Sequence, residues 1–297
     1  MRHQRIAERV WAFVRPYVYI APSLIVFVLF FLYPIGFLVF LSFTSWDLIS
    51  PQKEFVGLAN YLELFQSKEF REVVRNTVLY TGLTVGLSLV LAFFLALWLN
   101  RKSGFHRIVQ GAVFSPHIVS LVSVSLLWLW MMDPQYGLLN AILTGLGFPP
   151  FPWLTDPETA LYGLVLVGVW KIVGYNTLVF LAGLQSIPRE IDEAAMLDRA
   201  SPWRKLVKIT VPMLSPTWFF LLVVNTINAF QVFEPVQIMT QGGPVNSTNM
   251  LVYFIYENGF EFFKIGYASA AGVVLLVMIG VCTMIHFWLL SRKVHYR

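Results

Sequence analysis

Five polar side chains sit inside runs of sequence that are otherwise apolar, and their spacing brings them to a common depth. Lys171 lies well into a run that starts near residue 160, roughly 16 Å deep at 1.5 Å of rise per residue. Tyr175 follows one helical turn later on the same face. Asn225 and Asn228 share a face at i,i+3, and Gln231 continues that face outward. Counted from the outer end of their run, the two asparagines lie at roughly 12–16 Å, close to the depth of Lys171. Amides donate and accept, an ammonium donates, and an aromatic face stacks on a sugar ring, so the set suits a hydroxyl-rich ligand. A charge inside an apolar span costs about 2.5–3.5 kcal/mol on insertion scales, which makes Lys171 a functional candidate. Two plainer readings stand beside this one. Asn and Gln bond across helix bundles as packing glue worth about 0.6–2 kcal/mol. Lys171 paired with Glu234, beside Pro235 at the outer mouth, would close a gate.

Other chemistry is missing. His117 and His286 fall near inner ends of apolar runs without a second His or a carboxylate at metal spacing, so both read as interfacial. Cys282 is the only cysteine, which excludes a disulfide framework or a cysteine metal site within the chain. The sequence has no Ser/His/Asp cluster and no Gly-x-x-x-x-Gly-Lys-Ser/Thr phosphate loop. The expectation is a protein that is not an enzyme and has no ATPase of its own.

The elements that position these residues follow from composition. Hydrophobic residues make up 57% of the 297 and charged residues 12%, against about a quarter charged in a soluble domain. Such a chain needs a bilayer. Six runs reach the roughly 20 residues that span one: about 17–43, 76–99, 109–131, 160–187, 213–236 and 267–290. They must be helical, because every backbone polar group in lipid needs an internal partner. Pro34 is a candidate kink, and Gly82 with Gly86 a candidate packing face. The first run is too long for a signal-peptide core and lacks a cleavage site, so it reads as a retained pass. The expected divisions are a cytoplasmic N-terminus over 1–16, a six-pass region over 17–290 and a cytoplasmic tail over 291–297. Of the 21 Lys and Arg residues, fifteen fall in the N-terminal, second, fourth and C-terminal connecting segments and five in the others. That asymmetry places both termini in the cytoplasm. The basic residues form short clusters and no continuous face, which excludes nucleic acid as a partner. Outer loops rich in aromatics, Gly and Pro, such as Asp133–Gly137 and Pro149–Pro152, read either as docking surface or as solvated connectors.

The inner loop over 188–212 carries the most specific pattern. Pro188 suits a first helical turn, and Glu190, Asp192 and Glu193 favour the positive end of that helix's dipole. Ala194 and Ala195 let another backbone come close. Ser201-Pro202 reads as a cap and first residue of a second short helix, over about 202–209, carrying Arg204, Lys205 and Lys208. The result is a helix–turn–helix, which by composition alone also reads as a surface hairpin held on acidic lipid headgroups.

Here the sequence resembles a known family. Glu193-Ala194-Ala195, three residues, Arg199, nine residues, Ile209, one residue and Val211-Pro212 is similar to the EAA loop of binding-protein-dependent ABC importer permeases. That pattern has Gly where Arg199 stands and Leu where Val211 stands. If the family glycine turns the chain at positive φ, Arg199 costs about 1 kcal/mol or more; a helical backbone at Arg199 would make the change harmless. Phe55-Val56-Gly57-Leu58-Ala59-Asn60-Tyr61, Leu184-Gln185-Ser186-Ile187-Pro188 and Thr240-Gln241-Gly242-Gly243-Pro244 are similar to further motifs of sugar permeases.

The resemblance implies an all-α membrane protein of the type I ABC importer permease fold, six transmembrane helices with a cytoplasmic coupling helix–turn–helix. It implies the first permease of a pair importing a sugar, oligosaccharide or glycerol-3-phosphate by alternating access. Glu193, Ala194, Ala195, Asp198, Arg199 and Ala200 would engage the ATPase. The implied partners are a second homologous permease, an ATP-binding-cassette ATPase dimer that binds the ATP and Mg, an extracytoplasmic solute-binding protein and membrane lipid. The implied location is the cytoplasmic membrane of a bacterium or archaeon. The competing expectation is an ion-coupled secondary transporter, which needs an intramembrane carboxylate relay where only Glu234 qualifies.

Overall fold

The computed structural model describes residues 2–101 and 103–290, with side chains within 15–288 except those of Lys102 and Asp192. The expected tail over 291–297 lies outside the described residues, as do the side chains of the basic stretch before residue 15. Among the described residues the helices, in chain order, are α1 (Arg2–Phe27), α2 (Tyr33–Ser42), α3 (Ala59–Gln66), α4 (Lys68–Leu99), α5 (Gly104–Ile118), α6 (Leu121–Met131) and α7 (Leu138–Gly145). There follow α8 (Ala160–Gln185), α9 (Arg189–Leu197), α10 (Pro202–Lys205), α11 (Val211–Met213), α12 (Ser215–Phe230), α13 (Leu251–Tyr256) and α14 (Ile265–Leu290). Wider π turns at Val28–Leu32, Leu206–Thr210, Val236–Thr240 and Glu257–Glu261 extend or join them. One small antiparallel ribbon pairs β1 (Thr44–Ser45) with β2 (Glu54–Phe55).

Four continuous stretches are long and apolar enough to cross a membrane: Arg15–Ser42, Lys68–Leu99, Ala160–Gln185 and Ile265–Trp288. Two more reach that length only across a break, α5 with α6 bent by 100° and Pro202–Met213 with α12 bent by 62°. Counting each bent pair as one span gives six. The sequence reading drew 109–131 and 213–236 as single passes, and the chain bends both. Prolines stand close to both breaks. Pro116 has no N–H, so the Ala112 carbonyl loses its helical donor and accepts instead from Ser115 Oγ at 2.9 Å. Pro212 and Pro216 flank Leu214, where the other bend falls. At its outer end α12 stops at Phe230, so Gln231 caps the helix and does not extend its face.

The chain divides into two compact units, Met1–Leu64 with Asn258–Val273, and Phe65–Glu257 with Val274–Arg297. The first shows what the Phe55–Tyr61 motif does. Gly57 turns the chain at φ +59°, which glycine tolerates. Asn60 then donates from Nδ2 to the carbonyls of Ser42 at 2.8 Å and Thr44 at 3.0 Å. Tyr61 donates its hydroxyl to Ser42 Oγ at 2.7 Å. Together they hold α3 against the end of α2.

The second unit is built around α8, against which α4, α5 and α12 pack. Phe93, Phe180 and Trp218, one from each of α4, α8 and α12, form a mutual ring cluster with centroids 4.6–5.6 Å apart. Lipid tails are as apolar as leucine, so helices here gain from close packing more than from burial. Close packing needs small residues. A Cβ on Gly174 would collide with the Val113 carbonyl of α5. A Cβ on Gly82 or Gly86 would meet nothing within 4 Å, so the packing face expected there is open in this chain. Gly174→Ala should push α5 off α8 and cost about 1–3 kcal/mol. The check is the thermal unfolding midpoint of the purified protein in detergent; an unchanged midpoint would mean that α5 does not seat at Gly174.

Candidate functional site

The second unit contains a half-open cavity of about 320 Å³. Of the five residues singled out in the sequence, Lys171, Asn225, Asn228 and Gln231 line it, and Tyr175 does not. Tyr175 stacks on the His117 ring, with centroids 4.8 Å apart and planes 20° off parallel. His117, expected to be interfacial, is part of the cavity wall, because the break after α5 places it beside α8. Tyr80 and Thr84 of α4 also line the cavity and were missed. Their signal was available: Tyr80, Thr84 and Ser88 recur at i,i+4 as a polar stripe on an apolar helix.

The polar groups at this depth serve two purposes. Asn225 donates from Nδ2 to Asn176 Oδ1 at 2.9 Å and to the Leu221 carbonyl at 2.8 Å. Asn176 donates onward to Ser88 Oγ at 3.3 Å. A buried chain of side chains thus ties α12, α8 and α4 together, and Asn176 at its centre was not foreseen. Asn225 therefore does the work of helix glue while its side chain also borders the cavity. Asn228, Gln231 and Glu234 bring further amide and carboxylate groups to the same wall. Lys171 and Glu234 both line the cavity, with no ion pair between them. The Lys171 ammonium instead donates to the carbonyls of Pro116 at 2.8 Å and His117 at 2.9 Å, and to that of Val119.

The inner loop forms the hairpin that its sequence suggests. Pro188 is the residue before α9, and Ser201 caps α10 by accepting from the Arg204 amide at 3.3 Å, with Pro202 at the first position. The second helix does not stop near 209; it continues through the π turn to Met213. Between the two helices Arg199 adopts φ +49°. Its amide donates to the Met196 carbonyl at 3.0 Å, and the Ala200 amide reaches back to the Ala195 carbonyl at 3.0 Å. This pair of bonds is a Schellman ending, whose left-handed position glycine normally fills. The turn geometry is kept with arginine in it. Ala195 is buried, whereas Glu193, Ala194, Asp198 and Arg199 are exposed and Ala200 half-buried. Leu197 is 85% exposed, Trp203 71% and Met196 69%, an apolar tip that the described residues leave uncovered.

Comparison with known proteins gives a consistent result. A family model described as "Binding-protein-dependent transport system inner membrane component" matches residues 4–296. The chain is 35% identical over 283 residues to an sn-glycerol-3-phosphate transport system permease protein of Yersinia pestis bv. Antiqua (strain Antiqua), covering 95% of this chain and 96% of that protein. It is 36% identical over 286 residues to the permease protein of the same name from Escherichia coli (strain UTI89 / UPEC), with the same coverage. A chain from the crystal structure of a bacterial alginate ABC transporter, in complex with an alginate pentasaccharide-bound periplasmic protein, superposes with a TM-score of 0.81. That chain is 26% identical, with 94% of this chain and 96% of that one covered.

Two outcomes follow from the geometry. Arg199→Gly should relieve about 1 kcal/mol of left-handed strain. Hydrogen exchange of the Ala200 amide would then slow about fivefold, and faster exchange would mean that the arginine side chain holds the turn. Asn176→Leu should cost about 0.6–2 kcal/mol, read as a lower unfolding midpoint in detergent. A rise in that midpoint would show the polar chain to be dispensable for packing.

Proposed function

The chain belongs to the family of binding-protein-dependent transport system inner membrane components, and on that premise we propose that it is the first of two homologous permeases in an ABC importer of a sugar, oligosaccharide or glycerol-3-phosphate. It is a multi-pass component of the inner membrane. Both termini are read as cytoplasmic from the distribution of Lys and Arg. The solute arrives on an extracytoplasmic binding protein, and two partner ATPases bind the ATP and Mg.

The observation that carries the reading is the place of the hairpin in the chain. On one side it leads directly from α8, which bears Lys171; on the other it leads through the bent stretch Pro202–Met213 into α12, which bears Asn225 and Asn228. A displacement of the tip is therefore delivered through two helices to the cavity wall. The exposed Met196, Leu197 and Trp203 supply the apolar surface that a cleft in an ATPase would bury, and the Schellman turn makes the tip stiff. ATP closes the ATPase pair and draws the hairpins of the two permeases together, which opens the helices toward the docked binding protein. Hydrolysis resets the inward-facing state. Asn228, Gln231, Tyr80 and Thr84 offer the donors and acceptors that hydroxyl groups need while the solute passes. An ion-coupled carrier has little to work with here, since Glu234 is the single carboxylate among the cavity residues.

The test is ATP hydrolysis by the complete complex in nanodiscs with its binding protein and a panel of solutes. Glu193→Lys should abolish the stimulation by loaded binding protein while the complex stays assembled. Stimulated hydrolysis that is indifferent to this substitution would sink the coupling assignment.

A further inference from the structure

We propose that Lys171 is a positioning residue that holds the break between α5 and α6, and that it does not bind the transported solute. The argument begins with what the break exposes. An α-helix leaves its last carbonyls without intrahelical donors. Inside a membrane such groups must find partners or cost several kcal/mol each. Helix α5 ends at Ile118 and the chain turns by 100° before α6 starts at Leu121. The carbonyls of Pro116, His117 and Val119 all point to one atom, Lys171 Nζ.

An ammonium has three N–H donors and no acceptor. All three are engaged by backbone, so Lys171 has none left for a sugar hydroxyl or a phosphate. Its charge also lies at the negative end of the α5 dipole, where a cation is stabilising. The neighbours on α8 complete a clasp. Gly174 admits the Val113 carbonyl against the α8 backbone, and Tyr175 stacks on His117 at 4.8 Å. Within little more than one turn, α8 thus supplies the donor, the gap and the ring that seat the last turns of α5. The angle of α6, whose Leu121 lines the cavity, depends on that seat. Recognition of the solute then falls to the amide and hydroxyl groups opposite.

The experiment uses the assembled complex in nanodiscs, in a Cys282→Ser background with spin labels at Ile108→Cys on α5 and Leu126→Cys on α6, both exposed positions. The inter-label distance is measured together with ATP hydrolysis stimulated by loaded binding protein. The probes are glycerol-3-phosphate, an alginate pentasaccharide and a neutral disaccharide. Lys171→Met should broaden or shift the distance and lower the maximal rate about tenfold, with the half-saturating concentration changed by less than about threefold. Lys171→Arg, which keeps the charge and donors, should restore both. A half-saturating concentration raised about tenfold for the anionic probe alone, with the distance unchanged, would make Lys171 a ligand and overturn the proposal. So would an unchanged distance and rate. Should Lys171→Met fail to assemble, Lys171→Gln carries the same test with two donors remaining. The rate measurement rests on the importer reading. If the unaltered complex shows no stimulated hydrolysis, that reading fails, while the distance still decides the role of Lys171.

Discussion

A bilayer offers no hydrogen-bond partner to a peptide group, so where this chain leaves the helix inside one it must supply the partner itself. The sharpest such place is the 100° break between α5 and α6, where Lys171 takes three carbonyls. The same device recurs in milder form. Ser115 takes the carbonyl that Pro116 leaves free, and Asn60 takes those of Ser42 and Thr44 where α2 gives way to the ribbon. Asn76 donates to the carbonyls of Asn246 and Asn249, tying the Gly-Gly-Pro loop to α4 at 3.0 and 3.2 Å. These irregular segments are each anchored by a polar side chain.

The rest of the second unit is arranged around α8 for a related reason. Helices surrounded by lipid gain little from burying apolar surface, so their association rests on van der Waals contact and hydrogen bonds between them. Helix α8 provides both. Its glycines admit neighbours to backbone distance, and Asn176 bonds across to α4 and α12. The cavity then forms where α8, α12 and the break fail to close completely. Its polar wall includes Asn225, one of the groups that hold the bundle, beside the amides of Asn228 and Gln231.

The proposed coupling rests on covalent continuity more than on contact. The hairpin over 188–212 lies between α8 and α12 in sequence, so its tip is joined by the chain itself to two helices that line the cavity. Arg199 holds the left-handed position of the turn although the residue is unfavourable there. The strain is local, and the two Schellman bonds that surround it are intact.

The sequence alone was enough for the class of molecule, the number of apolar runs, the hairpin with its Ser201 cap, and four of the polar residues that line one cavity. These depend on local composition, periodicity and short-range chemistry, all of which are written along the chain. Pro116 stood in plain view within the third run, yet a proline alone does not say whether a helix kinks slightly or turns by 100°. That was decided by Lys171, which comes 55 residues later and supplies the missing donors. The same holds for Tyr175, read as a ligand group and found on His117, and for Asn176, silent in sequence and central in the bundle. A side chain's partner across a helix interface depends on the rotation and separation of two helices. Those quantities exist only once the helices have packed.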